Sequence, residues 1–105
     1  MLGVELKEVQ LVVVSVTLRV PPAKEGLFWP ATHDLIAKSR MEPGVLAYTF
    51  ARDVGDPSLV RVFEVYRDQA ALDQHMSSPH FQVWRSHSAK IERTERRIFD
   101  GALRL

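Results

Sequence analysis

One glutamate and two histidines in the second half of the chain carry the side chains best suited to acid–base chemistry. Glu64 lies in an alternating, largely apolar segment, where a buried carboxylate requires a partner. His75 and His80 follow it, and an imidazole ring titrates close enough to neutral pH to accept a proton from a substrate. These three residues are the predicted catalytic set, with His75 as the first candidate for a general base.

Glu64 can have a functional or a structural role, and its hydrogen-bond partner would distinguish the two. In the functional one, Glu64 pairs with His75 or His80 and fixes the tautomer and orientation of that ring. In the structural one, Glu64 bonds to a helix terminus and holds the helices on the sheet. His80 suits a structural role better than His75, because a helix N-terminus disfavours added positive charge. The spacing of the two histidines across Pro79 is not a known zinc pattern, so no metal site is predicted.

Aromatic side chains offer a lining for a flat ligand. Tyr48 and Tyr66 are the main candidates for substrate binding, because a buried hydroxyl needs a partner and could hold a substrate oxygen. Phe81 and Trp84 are the expected apolar lining, although most aromatic residues in a chain of 105 residues would belong to its core. Arg40 could stabilise a developing oxyanion, and its alternative is an exposed, solvated position.

The first half of the chain predicts a strand and a helix. Residues 9–20 alternate along a strand that is apolar on both faces at first, which predicts a central position in a sheet. Pro21 and Pro22 end it, and a helix follows to about Met41. Its expected buried stripe consists of Leu27, Phe28, Ala31, Leu35 and Ile36. Pro30 lies within this helix and predicts a kink or a late start.

The second half predicts a hairpin, two short helices and a last strand. Glu42-Pro43-Gly44 ends the first helix, and the turn formers of residues 53–58 join strands at 45–52 and 59–67. Leu46, Tyr48 and Phe50 are expected on one face of the first of these strands. Asp68 and Ser78 are predicted N-caps, and the helix after Ser78 should bury Phe81, Trp84 and Ile91. With a last strand at residues 96–104, the order is the ferredoxin-like β-α-β-β-α-β arrangement of an α+β protein.

The composition limits the classes of partner. A chain of 105 residues predicts a single domain spanning residues 1–105. The net charge is +1 with no basic block, so nucleic acid is not an expected partner. The apolar run from Leu11 to Leu18 is too short for a membrane helix, and the absence of cysteine fits a reducing compartment. No membrane association is expected, and the cytoplasm is the predicted location.

Three segments together carry a family resemblance. Glu42-Pro43-Gly44-Val45-Leu46-Ala47-Tyr48, Phe63-Glu64-Val65-Tyr66 and the run from Ala71 to Phe81 resemble the antibiotic biosynthesis monooxygenase family in order and spacing. The resemblance implies a dimeric α/β barrel, a homodimer formed through the sheet faces, and a last strand that reaches onto the partner. It also implies oxidation of a hydroquinone- or anthrone-like aromatic by dioxygen without a cofactor. Tyr66 departs from the family pattern, in which tryptophan is frequent.

Other functions on the same scaffold stay open at this stage. Some relatives isomerise or degrade small phosphorylated carbonyl compounds, and this would require a phosphate site that the scattered arginines do not indicate. A non-catalytic dimer that binds a small ligand is a third hypothesis, because a fold does not define a function. Haem degradation is not expected, because the related enzymes use an asparagine and this chain has none.

Overall fold

The computed structural model describes residues 8–104, which form a four-stranded antiparallel sheet with helices on one face. The elements are β1 (Glu8–Arg19), a 3-10 turn (Pro22–Lys24), α1 (Glu25–Ser39), β2 (Val45–Arg52), β3 (Leu59–Tyr66), α2 (Gln69–Ser77), α3 (Pro79–Ser88) and β4 (Glu92–Arg104). The strand order is β2-β3-β1-β4. This confirms the predicted ferredoxin-like α+β fold.

Strand β1 lies inside the sheet, between β3 and β4, as its two apolar faces predicted. Its even-numbered residues from Val12 to Leu18, together with Val20 just past its end, are at most 8% exposed and face the helices. Burying five aliphatic side chains in a row contributes about 1.5–3 kcal/mol for each. This row forms the floor on which the helices pack.

Helix α1 accommodates Pro30 in its interior and does not start late. Its buried side consists of Phe28, Thr32, Leu35 and Ser39, spaced three or four residues apart. The expected position of Leu27 on that side is wrong, because Leu27 is 76% exposed. A buried hydrogen bond of 2.9 Å from Trp84 Nε1 to Thr32 Oγ1 connects α3 to this helix.

The hairpin of β2 and β3 contains a bulge that corrects its expected alternation. Val45 pairs with Tyr66 and Ala47 pairs with Val65, so Leu46 is an extra residue in the ladder. Leu46 is 53% exposed and does not share the buried face with Tyr48. The bulge adds one residue and thereby sets which side chains of β2 face the helices.

Both predicted helix caps are present. The Asp68 carboxylate accepts from the main-chain N–H of Ala71 at 2.8 Å, and Ser78 Oγ accepts from Phe81 at 3.3 Å. These caps place His75 near the end of α2 and Phe81 in the first turn of α3. Ile91 is buried but lies beyond the end of α3, so its predicted place within that helix is wrong.

Gly44 allows the turn before β2 to approach α2 closely. A Cβ atom at this position would lie 2.4 Å from the Cβ of Ala71, a distance that no pair of carbon atoms tolerates without movement. The main-chain oxygen of Gly44 also accepts from Arg67 at 2.9 Å. Glycine is needed here for space, since its φ is not positive.

Strand β4 begins at Glu92, four residues before the predicted start, and contains a bulge. Thr17 pairs with Thr94 and Ser15 pairs with Arg97, so two residues of β4 oppose one residue of β1. Glu95 lies in the bulge with φ 51°, the left-handed region that non-glycine residues seldom adopt. The extra residue places Arg93 and Arg96 on one face, although a regular strand puts residues three apart on opposite faces.

The sheet face away from the helices carries apolar side chains. Phe63, Phe99 and Leu103 are each almost half exposed there. Strand β1 pairs with β3 only from Val12 onward. The preceding segment 8–11 of β1 pairs only with the segment 101–104 of β4, and the two form a two-stranded ribbon. No helix within residues 8–104 is long and apolar enough to cross a membrane.

Candidate active site

A cavity of about 330 Å³ lies between the sheet and the helices α2 and α3. The sheet contributes aliphatic side chains and one carboxylate to its wall, and the helices contribute mainly aromatic and aliphatic ones. The lining consists of Val14, Val16, Leu18, Tyr48, Phe50, Val62, Glu64, Leu72, Met76, Phe81, Trp84, Arg85, Arg93 and Arg96. A volume of this size lies within the range of small-molecule sites.

Tyr48, His75 and Glu42 form a hydrogen-bonded chain that begins at the cavity wall. The Tyr48 hydroxyl lies 3.1 Å from His75 Nε2, and His75 Nδ1 lies 2.8 Å from Glu42 Oε2. A carboxylate accepts only, so the ring donates from Nδ1 and its Nε2 accepts from the tyrosine hydroxyl. A proton that reaches the Tyr48 oxygen can therefore pass to His75, whose imidazolium form the carboxylate would stabilise.

Glu42 also binds His80, whose Nε2 lies 2.7 Å from the same Oε2 atom. The predicted pairing of Glu64 with His75 or His80 is therefore wrong. Glu42 was not among the predicted catalytic residues, although it belongs to the helix stop signal and to a segment that carries the family resemblance. A carboxylate next to the Pro43-Gly44 turn was the available clue, because Gly44 brings that turn against α2, the helix that carries His75.

Burial sets the protonation of this chain. His75 is 1% exposed, and burial lowers its pKa below the usual value, while the hydrogen bond to Glu42 opposes that shift. Burial raises the pKa of Tyr48 far above its usual value, and the negative charge of Glu64 raises it further. At neutral pH the site therefore holds a neutral imidazole and a protonated tyrosine.

Glu64 is the carboxylate that faces the cavity. The hydroxyl of Tyr66 donates to Glu64 Oε1, and the Tyr66 side chain is fully buried. Burial raises the pKa of Glu64, while the hydrogen bond from Tyr66 and the charge of Arg96 act in the opposite direction. Tyr66 lies behind Glu64 rather than among the residues that line the cavity, so it can act on a bound molecule only through this carboxylate.

The other predicted residues divide into two groups. Phe81 and Trp84 line the cavity, with ring centroids 6.0 Å apart, and Phe81 also packs against His75. Arg40 does not line it, because the side chain is exposed and Nε donates to the main-chain oxygen of Tyr48 at 3.1 Å. The expected place of Arg40 next to a developing oxyanion is therefore wrong.

Three arginines that were not predicted as site residues line the cavity instead. Arg85 lies on α3, and Arg93 and Arg96 lie on β4. Their spacing gave no regular pattern because the bulge at Glu95 changes the alternation of β4.

Among the residues that the structure describes, Glu42, His75 and His80 form a group that could hold a divalent cation. One ligand atom from each lies within 4.8 Å of the others, and two imidazoles with one carboxylate suit zinc or iron. The same atoms already satisfy one another, because both rings bond to Glu42 Oε2. None of the three lines the cavity, so an ion held there would lie behind Tyr48 and would not contact a bound molecule.

Comparisons with known proteins define the family. The family model described as antibiotic biosynthesis monooxygenase matches residues 11–87, and the chain belongs to this family. An uncharacterised protein from Synechocystis is 37% identical to this chain over 70 residues, which cover 67% of this chain and 48% of that protein. This chain thus spans about half the length of that relative. A Bacillus subtilis protein named "Putative monooxygenase YcnE" is 29% identical over 72 residues, which cover 69% of this chain and 76% of that one.

Solved structures agree with the fold. A "Putative antibiotic biosynthesis monooxygenase" from Nitrosomonas europaea has a TM-score of 0.78 at 25% identity, with 86% of this chain and 97% of that one covered. A protein of the same description from Caulobacter crescentus has a TM-score of 0.79 at 27% identity, with 87% and 89% covered.

Proposed function

We propose that this protein is a monooxygenase that oxidises a hydroquinone- or anthrone-like aromatic with dioxygen and uses no cofactor. One observation carries the proposal: the apolar, aromatic cavity contains a tyrosine joined to a buried histidine and, separately, a carboxylate of raised pKa. Such groups can remove protons from a substrate that itself supplies every electron. The family membership supports the same class of reaction.

The first step is removal of a proton from the substrate. A phenolic hydroxyl, or the acidic C–H of an anthrone, would lie against the Tyr48 oxygen. Its proton passes to that oxygen while the tyrosine proton passes to His75 Nε2, and Glu42 stabilises the imidazolium. This concerted transfer avoids a free tyrosinate, which burial disfavours.

The substrate anion then donates an electron to dioxygen, and the two radicals join through a new C–O bond. The peroxide formed takes back the proton from the relay. Glu64 next removes the hydrogen on the peroxidised carbon, the O–O bond breaks, and a carbonyl forms. Glu64 returns that proton to the departing hydroxide, which leaves as water. One oxygen atom of dioxygen enters the product and the other becomes water, so atoms and electrons balance.

The apolar walls of the cavity and its acid–base groups support this sequence of steps. The apolar walls exclude water from the anion, and a preorganised base next to them needs little rearrangement. The flat space beside Phe81 and Trp84 suits a ring system. Burial raises the pKa of Glu64, and this makes its carboxylate a stronger base than an ordinary one.

We also propose a homodimer formed through the open sheet face. Phe63, Phe99 and Leu103 form an apolar surface there, and patches of this kind usually mark interfaces. The ribbon of segments 8–11 and 101–104 projects beyond the body of the sheet, and an isolated two-stranded ribbon is only marginally stable in water. A second copy of this chain would cover both features.

A second function is favoured by a specific observation. Arg85, Arg93 and Arg96 together offer the phosphate site that isomerisation of a phosphorylated carbonyl compound would need. The same base would then move a proton next to a carbonyl, without dioxygen.

Oxygen uptake separates the two functions. The purified protein, treated with a chelator, would be tested with a panel of hydroquinones and anthrones under ¹⁸O₂. Incorporation of one ¹⁸O atom into the product supports the monooxygenase. The variant Glu64→Gln should lose the reaction, while Glu92→Gln, an exposed carboxylate on β4, should keep it. Substrate conversion that is unchanged under nitrogen would refute the proposed monooxygenase function.

A further inference from the structure

The cavity has one strongly cationic side. Arg85, Arg93 and Arg96, whose side chains are exposed, belong to its lining, and Glu64 is the one acidic residue in that lining. The guanidinium carbon of Arg93 also lies over the Trp84 ring, 5.7 Å from its centroid. This cation–π contact holds the Arg93 side chain against the aromatic wall of the cavity. Like charges on one wall of a cavity repel one another, and a bound anion would offset that repulsion.

No acidic side chain within residues 9–104 forms an ion pair with any of these three arginines. The ion pairs of arginine in that part of the chain involve Arg19, Arg52, Arg61, Arg67 and Arg97. Arg96 influences Glu64 at longer range, through its charge. Burial and the neighbouring charges of Arg85 and Arg96 lower the pKa of Arg93, and this agrees with an excess of positive charge.

The cationic side lies opposite the proton-accepting side. Glu64 pairs across the sheet with Tyr48 on β2 and with Val14 on β1, whereas the arginines of β4 lie beyond β1. Two strand spacings separate β3 from β4, a distance of about 10 Å. A molecule that spans the cavity would therefore place one end at Tyr48 and Glu64 and the other end between the arginines.

The bulge in β4 builds this arrangement. Arg93 and Arg96 share the cavity face only because Glu95 is an additional residue between them. Glu95 itself lies on the other side, where its carboxylate is 3.8 Å from Arg61. The bulge therefore keeps a negative charge out of the cavity and brings two positive charges to it.

We propose that the substrate of this site is an aromatic compound that carries an anionic group, a carboxylate or a phosphate, held by Arg85 and Arg93 at the end opposite the reacting hydroxyl. The inference rests on the proposed function for the reacting end alone. Arginine forks bind the oxygen pairs of both anions in two-point contacts. The fixed distance between the two ends orients the ring and determines which carbon faces the base.

Binding without oxygen tests this inference separately from the reaction. The probes are 1,4-dihydroxynaphthalene with a carboxylate at carbon 2, the corresponding phosphonate, and the neutral methyl ester as a matched control. Their dissociation constants would be measured by calorimetry under nitrogen. We expect at least one anion to bind roughly ten- to a hundred-fold more tightly than the ester. The carboxylate and phosphonate arms identify which anion the site prefers.

Two variants locate the effect. The double variant Arg85→Gln/Arg93→Gln should reduce the preference for the anion to less than about threefold while the ester binds as before. Arg96 is left in place because its charge also acts on Glu64. Arg67→Gln is the control, since Arg67 is exposed, pairs with Asp68 and does not line the cavity.

Either of two results would overturn the inference. One is equal affinity of the protein for the ester and both anions, and the other is an anion preference that survives in the double variant. Failure of oxygen uptake alone would not affect it, because binding is measured without turnover. An anion preference without oxygen consumption would instead retain the cationic site and remove the proposed monooxygenase function.

Discussion

Tyr48 lies between His75 and the cavity. Its hydroxyl is 3.1 Å from His75 Nε2, and the histidine is 1% exposed and does not line the cavity. His75 therefore reaches a substrate through the tyrosine and not by direct contact. Its role as the base stays a prediction, and that role now depends on a second residue.

Tyr48→Phe should abolish the relay while leaving the cavity shape intact. We expect kcat to fall by about 10²- to 10⁴-fold, the usual contribution of a positioned proton acceptor. Stability should fall by about 1–3 kcal/mol, because His75 Nε2 loses its partner in a buried place. Oxygen uptake and urea unfolding measure the two effects.

Tyr66→Phe is the matched control for that variant. It also removes one buried hydroxyl, but Tyr66 bonds to Glu64 and does not line the cavity. Loss of this hydrogen bond should raise the pKa of Glu64 and move the activity profile to higher pH, with a smaller loss in kcat. A Tyr48→Phe protein as active as the wild type would contradict the relay.

The pKa of His75 predicts a loss of stability in mild acid. Burial lowers this pKa in the folded state, so the unfolded chain binds more protons between the lowered value and the ordinary value of about 6.5. The free energy of unfolding should therefore fall as the pH decreases below about 6.5. Glu42 limits the effect because it favours the imidazolium form.

Urea unfolding at several pH values from neutral to mildly acidic checks this slope. In His75→Gln the slope should become shallower, whereas in His33→Gln, which changes an exposed histidine, it should stay as in the wild type. An unchanged slope in His75→Gln would assign the acid sensitivity to other groups.

The sequence predicted the framework of the site better than its contacts. Alternating valines, the caps at Asp68 and Ser78 and the stop at Pro43 are local signals, and they located the elements that carry Tyr48, His75 and Phe81. The partner of His75 was predicted wrongly because Glu42 approaches α2 through a glycine contact distant in sequence. No local pattern reports such a contact.

The arginines were missed for a related reason. A period of two describes regular strands, and a bulge shifts every later residue to the other face. Neither Leu46 nor Glu95 is a glycine or another residue that marks a bulge in a sequence. The strand predicted from residue 96 therefore excluded Arg93, and the face of Arg96 could not be assigned.

Gly44→Ala should destabilise the protein through a local clash. The new methyl group would lie 2.4 Å from the Cβ of Ala71, and forced separation of the turn from α2 should cost about 1–3 kcal/mol. It should also lengthen the distance between Glu42 and His75. Gly26→Ala is the control, because open space surrounds that helical position and alanine there should stabilise by about 0.5–1 kcal/mol.

A second change tests the cause. If the Cβ–Cβ contact is responsible, Gly44→Ala combined with Ala71→Gly should be more stable than the sum of the two single effects, because the clash is removed. Additive losses in the double variant would point to backbone entropy instead.

Glu95→Gly should be neutral or stabilising in spite of the lost side chain. The left-handed backbone at φ 51° costs about 1–2 kcal/mol for a residue with a Cβ, and glycine avoids that cost. The ion pairs of Glu95 with Arg61 and Arg97 are exposed, each at 3.8 Å, and contribute little. Glu95→Val should be strongly destabilising because a branched Cβ does not tolerate this region. Urea midpoints of the two variants provide the measurement, and equal midpoints would contradict a strained bulge.

Phe99→Glu should convert the proposed dimer to a monomer. Phe99 pairs with Val13 across the sheet, and both lie on the face opposite the helices, where Phe99 is 48% exposed. A charge at the centre of an apolar interface loses its hydration without gaining a partner, whereas the same charge on a monomer stays in water. Light scattering after gel filtration should give twice the chain mass for the wild type and a single chain mass for this variant.

Val54→Glu is the control because Val54 is fully exposed at the hairpin turn, away from that face, and its protein should remain dimeric. A wild-type protein of single chain mass at micromolar concentration would refute the proposed interface.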